Sequence, residues 1–99
     1  MEYPIEIRQT PAYARWFANL RDRQAKARVD IRIRRLSMGN PGDVKSVRLG
    51  VSELRIDYGP GYRIYFTRRG DRLIILLAGG DKASQTKDIK NAIEAAREY

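Results

Sequence analysis

Polar and apolar residues change their period three times along this 99-residue chain, and each change predicts a change of element. From Glu2 to Arg8, Tyr3, Ile5 and Ile7 alternate with polar neighbours, which predicts a half-buried strand. Thr10-Pro11 then combines a good helix cap with a residue tolerated in the first helical turn. Beyond it, Tyr13, Trp16, Phe17 and Leu20 mark one face of a helix about two turns long. Asp22 is placed to cap a second helix, in which Ala25, Val29, Ile33 and Leu36 form an apolar stripe at steps of four and three. Arg23, Arg28, Arg32 and Arg35 fall largely off that stripe. Ser37 to Asp43 concentrates Gly, Asn, Pro and Asp and predicts a loop that stops the helix.

The period then falls to two. Val44, Ser46 and Arg48 alternate with Lys45, Val47 and Leu49. Leu54, Ile56 and Tyr58 alternate with Glu53, Arg55 and Asp57, and Tyr62, Ile64 and Phe66 with Arg63, Tyr65 and Thr67. Three sequential antiparallel strands follow from this, the last two joined by Gly59-Pro60-Gly61. A tight turn at Arg69-Gly70-Asp71 leads into Arg72 to Ala78, an apolar run of the kind that is covered on both faces. After Gly79-Gly80 a last helix starts near Ser84, buries Ile89, Ala92, Ile93 and Ala96, and leaves Lys87, Asp88 and Lys90 outside. The order β-α-α-β-β-β-β-α predicts one α+β domain over residues 1–99, with the helices on one side of a curved antiparallel sheet.

Composition narrows the chemistry. With no cysteine and no histidine, disulfides, thiolate metal sites and the usual neutral-pH acid/base are excluded, and neither metal nor cofactor is expected. Chemistry is left to Arg, Lys, carboxylates, Tyr and hydroxyls. No apolar run approaches membrane-spanning length, and the first ten residues lack the basic start and greasy centre of a secretory signal, so a cytoplasmic protein is expected. The formal net charge of +8 on so small a surface attracts polyanions, nucleic acid or an acidic protein. Arginine supplies 15 of the 20 basic residues, and its planar fork suits bidentate phosphate contacts.

The segment Val51 to Lys82 carries the candidate site. In a twisted antiparallel sheet Arg55, Arg63 and Lys82 arrive from three neighbouring positions on one surface, where their fixed charges would meet a phosphate. Glu53 shares the alternation of Arg55 and has two readings, a general base or the partner of a surface ion pair. Tyr58 and Tyr65 could stack a base, although packing is the commoner role of a sheet tyrosine; Tyr62 is assigned to packing. The helical arginines, Arg28, Arg32 and Arg35 among them, are either a solvated face or a track for an RNA backbone, and Lys87 on the last helix is a further RNA-binding candidate.

ELRIDYGPGYRIYF followed by LIILLAGGDKASQTKDI resembles the RelE/ParE toxin superfamily, specifically its HigB-like addiction-module branch, and the resemblance covers nearly the whole chain. It implies a cytoplasmic type II toxin that cuts mRNA in the ribosome, without metal, by attack of the ribose 2′-hydroxyl on phosphate. It also implies a helix-turn-helix antitoxin encoded next to the toxin as partner. Under that resemblance Arg63 stabilises the phosphorane, Arg55 positions the phosphate, and Lys82 acts as general acid or clamp. The chain departs from the best-known members at Glu53, where they tend to carry lysine, and at Gln85, Lys87 and Asp88, where they use tyrosine or histidine. Two other classes stay open: a ParE-like inhibitor that poisons DNA gyrase by binding, and a basic nucleic-acid binding module.

Overall fold

The computed structural model describes residues 4–99. Its first strand, β1, spans Glu6–Gln9, with Ile5 and Ile7 half-buried against the core; Tyr3 lies outside the described residues. Helix α1 spans Pro11–Ala18. The Thr10 hydroxyl caps it, accepting from the Tyr13 N–H at 3.1 Å while donating to the Leu77 carbonyl at 2.8 Å. One buried side chain thereby starts the helix and ties it to the sheet. Helix α2 spans Arg23–Ser37 and is capped by Asp22, whose carboxylate accepts from the N–H groups of Gln24 and Ala25. Its stripe is buried as the spacing requires, with Ala25 and Val29 wholly covered and Leu36 nearly so.

Four strands and a helix complete the chain: β2 (Val44–Arg48), β3 (Val51–Ile56), β4 (Tyr62–Arg69), β5 (Leu73–Asp81) and, after a 3-10 turn at Lys82–Ser84, α3 (Gln85–Ala96). The sheet order is β1-β5-β4-β3-β2. The three hairpin-connected pairs are antiparallel, but β1 lies parallel to β5. The sheet is therefore mixed, where alternation had predicted an antiparallel one.

The helices do not share one side. Helices α1 and α2 pack on one face through Tyr13, Val29 and Leu36 against Leu54, Ile64 and Ile74. Helix α3 covers the opposite face through Ala92, Ile93 and Ala96 against Val51, Tyr65, Ile75 and Leu77. This corrects the expectation of helices on one side. The physical reason lies in β5: both of its faces are apolar, and each must be removed from water.

A bulge in β5 sets the site's geometry. Tyr65 pairs with Ala78 but Phe66 with Leu76, so Leu77 is an extra residue on its strand. Past it the alternation inverts. Gly79 turns to the α1 side, where the Trp16 indole lies on its backbone, and Gly80 turns to the α3 side beneath the Asp88 carboxylate. In both places a Cβ would overlap the covering group, which is the reason for glycine there.

Candidate functional site

The register of β3 on β4 places Arg55 directly opposite Arg63 and Glu53 directly opposite Tyr65. All four project toward α3, because Leu54, Ile56 and Ile64 occupy the other face. Arg63 in turn pairs with Gly80 on β5. The turn Gly59-Pro60-Gly61 brings in the third cation: a Cβ on Gly61 would lie 3.5 Å from Lys82 Cβ and 3.6 Å from Arg63 Nη1. Gly61, at φ +78°, is thus the common neighbour of the Lys82 stem and the Arg63 guanidinium. Arg55 and Arg63 thus face each other, with the stem of Lys82 near the Arg63 guanidinium.

The three cations are held differently. Arg55 donates from Nε and Nη2 to Asp43 at 3.2 and 2.9 Å, an ion pair open to solvent. Lys82 is exposed at the head of the 3-10 turn. Arg63 is the most enclosed, its side chain 14% exposed, with Nε 3.8 Å from Glu53 Oε1. That nitrogen is buried without a hydrogen-bond partner, while Nη1 makes long bonds to the Gly61 and Tyr62 carbonyls at 3.4 and 3.5 Å.

Glu53 is not the surface carboxylate that alternation beside Arg55 suggested. It is 1% exposed, and its Oε2 accepts from the Tyr65 hydroxyl at 3.1 Å and from Gln85 Nε2 at 2.7 Å. A carboxylate so covered has no path to a substrate hydroxyl, so the general-base reading has no geometric support. Tyr65 is likewise corrected: it is wholly buried and has no ring face for a base to stack on. Burial, and next the Glu53 charge, push its phenol well above the usual tyrosine range, so its hydroxyl stays protonated and stays a donor. Nearby, Ser84 hydrogen-bonds Asp88, whose carboxylate covers Gly80. Asp43, Asp88, and the part of Gln85 in this network were not visible along the chain. The one available signal was parity, which puts Glu53 and Tyr65 on one face once the strands are paired.

The outlying basic residues divide. Arg32 is not an RNA-tracking side chain: Nη1 donates to the Arg55 carbonyl at 2.6 Å, and Nη2 to those of Pro41 and Asp43 at 3.0 and 3.2 Å. It fastens the 37–43 loop to β3, and its burial lowers the guanidinium's proton affinity. Arg28 lies over the Tyr58 ring, 4.5 Å from its centroid, and Arg35 is exposed on the same helix. Lys87 is exposed on α3, across the sheet from both.

Tyr58 is engaged at its other end as well, donating to Asp22 at 2.8 Å. This bond, with the Ala25 and Gln24 amides and Arg28, holds the Asp22 carboxyl below its ordinary value of 3.8. A depressed carboxyl stabilises the fold above the unfolded-state value and loses that contribution as pH falls through the lower folded value. Tyr58→Phe should therefore lower the urea midpoint at pH 6, and the gap to wild type should close as pH falls below 3.8; a gap independent of pH would exclude this bond as its source.

A family model described as "Phage derived protein Gp49-like (DUF891)" matches residues 15–99. An uncharacterized protein of Haemophilus influenzae is 49% identical over 94 residues, 95% of each chain. Among the described residues, no helix is long and apolar enough to cross a membrane.

Proposed function

We propose that this chain, which belongs to the phage-derived Gp49-like family of RelE-like addiction-module toxin type, arrests growth as a HigB-like endoribonuclease that cuts mRNA on the ribosome. The observation that carries this reading is the pairing of Arg55 directly opposite Arg63 with Lys82 beside them. Asp43 and Glu53 offset the repulsion of these facing charges, and with Lys82 the three cations still outnumber the two carboxylates, which leaves charge for an anion.

The chemistry follows from that placement. The 2′-hydroxyl oxygen attacks the adjacent phosphorus, its proton passes to water, and the bond to the 5′-oxygen breaks to leave a 2′,3′-cyclic phosphate. Arg63, the most enclosed of the three, stabilises the extra charge of the phosphorane. Arg55, whose Nε and Nη2 are engaged by Asp43, offers Nη1 to a non-bridging oxygen, and Lys82 supplies the proton to the leaving 5′-oxygen. Arg28, Arg35 and Lys87 add contacts to ribosomal RNA that depend on charge and not on sequence. A helix-turn-helix antitoxin with an acidic segment over this basic face would neutralise the field that draws RNA in.

Primer extension on cellular mRNA after induction tests the reading: cuts inside translated codons are expected. Intact transcripts with trapped gyrase–DNA breaks would replace it with gyrase poisoning, and undisturbed growth with plain nucleic-acid binding. Affinity for the ribosome should also fall steeply with salt, with a log–log slope of about −2 to −5 for three to six phosphate contacts. A slope near zero would remove the electrostatic basis of binding.

A further inference from the structure

Resting on the reading of Arg63 as the group that stabilises the phosphorane, we propose that Gln85 is a positioning residue for Arg63, acting through the buried carboxylate of Glu53. The carboxylate is a two-sided connector. Its Oε2 is occupied by the Tyr65 hydroxyl and the Gln85 amide, from β4 and from the first turn of α3. Those two donors fix the rotation of the carboxylate, and its remaining oxygen, Oε1, faces Arg63 Nε at 3.8 Å.

Two features give this arrangement a function beyond packing. First, Arg63 Nε is buried with no hydrogen-bond partner, a state it shares with Nε of the structural Arg32, but only Arg63 has a carboxylate oxygen facing that nitrogen, at 3.8 Å. A movement of about 1 Å would bring it to the charge-assisted distance from Oε1. Second, the donor from α3 is neutral. A cation in place of Gln85 would compete with Arg63 for the charge of Glu53, whereas an amide fixes the carboxylate and leaves that charge to the arginine.

Gln85 is separable from the docking of its helix. Helix α3 is anchored by Ala92, Ile93 and Ala96, and the turn before it by a capping box in which Asp81 accepts from the Ala83 and Ser84 amides. Loss of the Gln85 amide therefore removes the connector and leaves the helix in place.

The test combines two measurements on Gln85→Leu in the full chain, with Glu53→Gln as the second variant. The order parameter of the Arg63 Nε–Hε bond, from nitrogen-15 relaxation, should fall below its wild-type value in both variants. The single-turnover rate of mRNA cutting in purified programmed ribosomes should fall about 10–100-fold with KM unchanged, the signature of misplacement and not of lost binding. Gln85→Leu should stay folded under the assay conditions, with a urea midpoint lowered by the loss of one donor to a buried carboxylate. A folded Gln85→Leu with a rigid Arg63 and a wild-type cutting rate overturns the proposal, as does a rate loss no larger than the unfolded fraction. If the wild-type protein cuts no mRNA, the functional reading fails, and the order parameter alone decides: a rigid Arg63 in both variants overturns the positioning role and a mobile one upholds it.

Discussion

Arg63→Ala is expected to slow mRNA cutting by about 10²–10³-fold, the loss typical of removing one preorganised charge from a developing oxyanion, and to relieve growth arrest, while the chain stays folded. The expectation rests on how Arg63 is held. Its strand neighbours Ile64 and Tyr65 are buried on opposite faces, so the backbone under the guanidinium has little freedom. Folding should survive because Glu53 keeps both of its donors when the arginine is cut away. The 3.8 Å separation is also too long for a charge-assisted hydrogen bond. The stability loss should therefore stay below the about 3–5 kcal/mol that follows when a tightly bonded buried pair is broken.

Primer extension reads the first effect and urea unfolding the second. Arg63→Lys separates charge from shape: it keeps the cation but not the planar fork, so a rate between alanine and wild type is expected. A folded Arg63→Ala that cuts at the wild-type rate would remove Arg63 from the mechanism.

Gly79→Ala is expected to be the most damaging single change to the fold, at about 3 kcal/mol or more, the upper end for forced overpacking. The Trp16 indole lies on the Gly79 backbone, and an added methyl would overlap the six-membered ring at its fusion edge. The ring has no easy retreat, because it packs against Tyr13 and stands edge-on to Tyr62 at 6.3 Å. Displacing it strains the contact of α1 with β5. Urea unfolding followed by the fluorescence of this one tryptophan measures both the loss and its location. Trp16→Leu should offset part of the loss when combined with Gly79→Ala, since the two changes share one contact. Additive losses in that double variant would place the damage elsewhere.

The interior of each element was legible along the chain, and the reason is local. Thr10 and Asp22 start helices because their side-chain oxygens reach amides two or three residues away. The α2 stripe at Ala25, Val29, Ile33 and Leu36 is buried or half-buried because a helical period admits one inward face. The continuous apolar run in β5 carries a further consequence. A strand covered on both faces needs a second layer, and α3 was the element available to supply it.

The site was half legible for the same reason. Alternation put Glu53 and Arg55 on one face and Arg63 and Tyr65 on one face, and the order of the strands suggested that these faces coincide. The depth of Glu53 and Tyr65 was not readable, since one strand repeats the same period whether its polar face meets solvent or a helix. The role of Arg32 was hidden likewise: off the apolar stripe it looked like a solvated cation, yet its guanidinium reaches one carbonyl of β3 and two of the 37–43 loop.

What the chain determined by itself is the set of elements, the parity of each strand, and a chemistry confined to guanidinium, ammonium, carboxylate and phenol by the absence of histidine and cysteine. Tertiary structure alone decided the parallel seat of β1 on β5, the face taken by α3, and the extra residue at Leu77 that turns Gly80 toward Arg63. Periodicity is a property of residues a few positions apart. Register and bulges are properties of pairs far apart in sequence, where a shift of one residue exchanges the two faces of a strand.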